Sequence, residues 1–106
     1  MSFEDRERGF EAKYALDQDQ EFRANARRNR LLGLWAGGLM GLEGEHLEGY
    51  ARAVVKSDFE LPGDEDVLNK VSRDLKGSGL ATSEAEVRRK MDELLAQARE
   101  QVKAGV

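Results

Sequence analysis

Apolar residues recur along most of this chain at intervals of three and four, and those intervals mark out helices. The most regular set is the last. Val87, Met91, Leu94, Leu95, Ala98 and Val102 fall on one stripe, and Ser83 with Glu86 predicts a capping box at its start. Gly105 stands where such a helix stops. Val67, Leu68, Val71 and Leu75 predict a shorter helix, with Asp64 as its N-cap and Glu65 and Asp66 on the positive end of its dipole. The "KGSG" run, Lys76–Gly79, ends it. A further helix is expected from about Glu45 to Phe59, with Leu47, Tyr50, Ala51, Val54 and Val55 inward. The longest spans roughly Gln18 to Leu42, and Leu31, Leu32, Trp35, Leu39 and Leu42 share a sector of about 100°. Four helices joined by short loops predict an all-α protein, a small four-helix bundle.

Two features do not fit a plain bundle. Gly33, Gly37, Gly38 and Gly41 interrupt the long helix, each at a cost of about 1 kcal/mol against alanine. Gly33, Gly37 and Gly41 recur every fourth residue, a ridge without side chains. Close approach of a neighbouring helix is the plainest account of them, ahead of a kink or a bound ligand. The second feature is the opening stretch, where Phe3, Phe10 and Tyr14 would lie within about 40° on a helix whose other faces are charged. That stripe is too thin for a core layer, and Gly9 weakens the helix that carries it. Either it folds back as a cover on the bundle or it orders in a partner's groove. A membrane surface is the poorest match, because the polar face is as acidic as it is basic.

Charge and composition narrow the chemistry. The 106 residues carry 17 basic and 21 acidic side chains, net −4, and no cysteine. Residues 1–30 balance seven acids with seven bases, so neither part of the chain is a polycation and no nucleic-acid partner is expected. The longest apolar run, Leu31–Leu42, falls short of the ~20 residues that span a bilayer. No membrane insertion is expected, and the charged opening residues lack the apolar core of a secretory signal. These readings predict a cytoplasmic protein. His46 is the single histidine and is expected at the surface, so no metal site and no Ser-His-acid set can be assembled. "GLWAGGLMG" lacks the lysine and hydroxyl of a phosphate-binding loop. Arg23, Arg27, Arg28 and Arg30 crowd one run. They read as a solvated face answering Asp17, Asp19 and Glu21, or else as a contact for an anionic partner or a phosphate. Trp35 is expected in the core. The residues describe a binding module with no catalytic residues, not an enzyme.

The runs "FEDRERGFEAKY", "ARRNRLLGLWA", "YARAVVKSDFE" and "PGDEDV" occur in this order along nearly the whole chain. Together they resemble the zeta inhibitory subunit of the alphaproteobacterial F-type ATP synthase. The resemblance implies a four-helix bundle, residues 18–106, carrying a mobile, partly helical N-terminal inhibitory segment, residues 1–17. It implies insertion of that segment at a catalytic interface of the F1 alpha and beta subunits, towards gamma, blocking rotation in the hydrolysis direction. Phe3, Glu4, Asp5, Arg6, Arg8, Phe10, Glu11, Lys13 and Tyr14 occupy the matching stretch. On this reading the aromatics fill apolar grooves and the charges set register. Arg23, Arg27 and Arg28 would extend the contact along the head. The free protein is expected as a monomer, peripheral on the membrane-bound synthase and without a cofactor. The alternative is a small nucleotide-sensing or assembly module that binds ATP or ADP weakly near Trp35 and the arginines.

Overall fold

The computed structural model describes residues 16–58 and 64–105, and four helices account for most of them. In chain order they are α1, Gln18–Leu39; α2, Gly44–Lys56; α3, Glu65–Gly77; and α4, Glu84–Lys103. The all-helical bundle expected from the periodicity is the observed architecture. α1 is its spine. α2 returns along it after the short turn at residues 40–43, α4 packs on another side, and α3 bridges the set.

The core follows the stripes closely. Val67, Leu68, Val71 and Leu75 of α3 are all buried, as are Val87, Met91, Leu94 and Ala98 of α4. Leu32 and Ala36 of α1 and Ala51 and Val54 of α2 complete it, with Leu31, Trp35, Tyr50 and Leu80 packed at its edge. Burying such side chains contributes about 1.5–3 kcal/mol each, enough to hold a bundle of this length without disulfides. Trp35 therefore lies at the margin of the core, with the Lys90 ammonium 5.8 Å from its ring centre.

Two capping boxes fix helix starts. The Ser83–Glu86 box is as expected: Ser83 Oγ accepts from the Glu86 amide at 3.1 Å. At α1 the cap is Asp17, whose Oδ1 accepts from the Gln20 amide at 2.7 Å while Gln20 Oε1 accepts from the Asp17 amide at 3.2 Å. Asp64 is the N-cap residue of α3, yet its side chain caps nothing, because it is bonded elsewhere.

The glycines divide by role. α1 ends at Leu39, short of the expected Leu42, because Gly41 turns to φ +83° and closes the helix. The Leu42 amide donates to Gly37 O at 2.9 Å and the Gly41 amide to Gly38 O at 3.1 Å, which is the Schellman arrangement. Leu39 is consequently 47% exposed rather than core. Gly41 thus leaves the supposed ridge, while Gly33 and Gly37 form the close approach. A Cβ on Gly33 would stand 2.7 Å from Ala51 Cα, and one on Gly37 would stand 2.6 Å from Leu47 Cδ1.

Candidate functional site

The arginine run proves to hold residues of quite different standing. Arg28 is 1% exposed. Its Nη2 donates to Asp64 Oδ1 at 2.7 Å and its Nε to Asn29 Oδ1 at 2.6 Å. Asn29, also buried, passes the connection on to Asp58 Oδ2 at 2.9 Å. This network ties α1 to the end of α2 and the start of α3, so Arg28 is an internal latch. It is closed to any partner, in place of the surface contact the run suggested. The sequence held a signal for this, since Arg28 is four residues from both Ala24 and Leu32 and so shares their inward stripe.

The other three stay outside. Arg23 is exposed and pairs with Asp19 at 3.0 Å. Arg27 Nη1 donates to Gln101 Oε1 at 3.4 Å, and Arg30 holds Glu48 with both terminal nitrogens, at 2.7 and 3.1 Å. That fork raises the Arg30 pKa, through the hydrogen bond first and the charge second, and lowers that of Glu48. Exposed pairs of this kind are worth little and exchange partners readily.

These three guanidinium groups stand over an open groove of about 700 Å³ between the C-terminal ends of α2 and α4. Its apolar surface comes from Phe22, Ala26, Leu31, Val55 and Val102. Phe22 is 66% exposed, the most exposed large apolar side chain among the described residues. A smaller hollow on its other side is lined by Asn25, Asn29, Val55 and Asp58. The groove exists because α2 ends at Lys56 while α1 runs on towards its N-terminus uncovered. Trp35 does not line it, so the two features joined in the nucleotide-binding expectation lie apart.

Nothing else in the described residues offers chemistry. No group of three or more His, Asp or Glu could hold a metal, and His46 is exposed. No helix among them is long and apolar enough to cross a membrane.

The family profile for ATPase inhibitor subunit zeta matches residues 1–101. The chain belongs to that family. Membership makes it a non-catalytic regulator and implies inhibition of the F1-ATPase. A solution NMR structure is similar to it at 45% identity and TM-score 0.71, over 81% of this chain and 98% of the other. Comparison with curated proteins returns no match.

Phe3, Glu4, Asp5, Arg6, Arg8, Phe10, Glu11, Lys13 and Tyr14 all lie outside the described residues. The sequence reading passed over Phe22 and expected Val55 inward, whereas both frame the groove. Phe22 could have been found as a lone aromatic well off the Leu31–Trp35 stripe on a charged helix.

Proposed function

We propose that this chain inhibits ATP hydrolysis by the F1 head through residues 1–17, which enter a catalytic interface between the alpha and beta subunits, reach towards gamma and block rotation. The observation that carries the reading is the extent of the family match, which begins at residue 1 and so includes the whole aromatic stripe. Phe3, Phe10 and Tyr14 supply buried anchors of the kind that dominate interfaces, while the charges beside them set register. The bundle serves as a body that holds the segment and keeps it in supply at the head. This restricts the loss of ATP when the proton gradient falls.

The test is ATP hydrolysis by F1 from the same source, titrated with the full chain and with a chain lacking residues 1–17. Inhibition by the first alone is the expected result. Equal inhibition by both would move the activity to the bundle, and none by either would end the proposal.

A second reading is weak ATP or ADP binding, supported by three guanidinium groups over an apolar groove of a volume common for small-ligand sites. Saturable amide shifts confined to Arg23, Arg27 and Ala26 on titration with ADP would support it. Scattered, unsaturating shifts would dismiss it.

A further inference from the structure

We propose that the groove beside Phe22 is a docking site for an acidic amphipathic helix of a protein partner. Its shape comes from α1. The residues α1 contributes are Phe22, Ala26 and Arg30 on one row and Arg23, Arg27 and Leu31 on the next, each row spaced by four. Two such rows are adjacent ridges of a helix surface, and the channel between ridges is where a neighbouring helix seats its own. Further along α1 that role falls to α2, with Ala51 against Gly33 and Leu47 against Gly37. Beside Phe22 the seat is vacant, because α2 ends at Lys56. Val55 of α2 and Val102 of α4 wall it. From Phe22 to Leu31 α1 rises about 14 Å, room for roughly two and a half turns of an added helix.

Charge selects the sign of the occupant. Arg23, Arg27, Arg30, Arg52 and Lys56 line the groove and the hollow that adjoins it at Val55, and no carboxylate among the described residues lines either. Asp58 lines only the hollow on the other side of Phe22, where it accepts from Asn29. Two of the five cations are already neutralised, Arg23 by Asp19 and Arg30 by Glu48. The other three are not. Arg27 meets the neutral Gln101. Arg52 and Lys56 form no ion pair among the described residues, and Arg52 bears on Glu48 only at a distance. Arg27 stands towards α4, while Arg52 and Lys56 stand on α2, so positive charge flanks the apolar channel on both sides in a chain whose net charge is −4.

A helix with one apolar ridge and carboxylates on both flanks satisfies channel and charge together. Phe22, 66% exposed, supplies the aromatic anchor of the contact. A second copy docked groove to groove would set the same cations against each other. A lipid surface, being flat, would meet Phe22 and leave Ala26 and Leu31 uncovered. The contact is separate from residues 1–17 and stands whether or not they inhibit.

The probe is a peptide of about 14 residues with leucine along one helical stripe and glutamate on both flanks, titrated into the full chain. Its control carries lysine for glutamate. The glutamate peptide is expected to move the amides of Ala26, Val55 and Val102 saturably at one-to-one stoichiometry, and to bind about tenfold tighter than the lysine peptide. Net charge alone would favour the lysine peptide, so this preference reads the groove and not the whole chain. Phe22→Ala, and separately Arg52→Gln/Lys56→Gln, should each weaken binding about tenfold with helix content kept, since all three side chains are exposed. The loss in the second variant should shrink as salt rises to about 0.5 M, whereas the loss in Phe22→Ala should not. Equal or tighter binding of the lysine peptide would overturn the proposal, as would shifts outside the groove or no binding of either peptide. If the same three amides moved with protein concentration alone, the occupant would be a second copy. If they moved with phosphatidylglycerol vesicles and not with peptide, it would be a membrane. Either result would also overturn the proposal.

Discussion

Arg28 shows how far a residue's neighbours outweigh its type. A guanidinium inside a small bundle is tolerated only while its donors are occupied, and Asp64, 43% exposed, carries the balancing charge. Asp64→Ala strands the cation, so chemical denaturation should show a loss of about 3 kcal/mol. Adding Arg28→Met to that variant should restore part of it, since an apolar chain needs no partner. Tyr50 supplies a second case. Its hydroxyl donates to Asp74 Oδ2 at 2.9 Å, with Lys70 on the same carboxylate at 3.1 Å. Burial, and then Asp74, push the phenol above its ordinary value. The folded state therefore keeps this proton after the unfolded chain has begun to lose it near pH ~10. Stability from Tyr50 is present below that pH and declines as pH rises above it. Denaturant midpoints between about pH 9 and 11 should fall less steeply in Tyr50→Phe than in the parent chain.

At the scale of elements, two glycines five residues apart have opposite prospects. Gly33 lies against the α2 backbone at Ala51, which cannot move aside without separating the helices. Gly33→Ala should cost roughly 1–3 kcal/mol. Gly38 meets nothing within 4 Å, so Gly38→Ala should gain up to about 1 kcal/mol from helix propensity alone. Thermal melts of the two variants check both signs. The same elements show what the sequence could and could not disclose. The stripes of α3 and α4 were legible because each buries one uninterrupted set of apolar positions. The end of α1 was not, since Leu39 and Leu42 continue the period while Gly41 breaks the backbone. Periodicity records which way side chains face and is silent on where a backbone turns. The groove was hidden for a related reason. It is a consequence of α2 ending at Lys56, a difference between the lengths of two helices rather than a motif in either.

For the whole molecule, the buried core among the described residues draws on positions 24–98. A chain lacking residues 1–17 should therefore melt cooperatively with its helix content intact, as circular dichroism would show. Its midpoint should drop by the worth of the Asp17 cap that the truncation removes, about 1 kcal/mol. That midpoint should respond little to salt between about 0.05 and 0.5 M, the core being apolar.

The Asp17 box also sets a stop against lengthening α1 past its N-cap. A chain that ran helical straight through position 17 would carry Phe3 about 21 Å beyond the end of the bundle, the long arm of a single rod. To straighten, Asp17 must leave its extended conformation and surrender both the bond from the Gln20 amide and the one to Gln20 Oε1. A cap of this kind is worth about 1 kcal/mol, roughly a fivefold bias against running the helix on through position 17. Asp17→Ala would release that bias without touching the core. Where α1 begins is thus geared to one carboxylate at its own threshold.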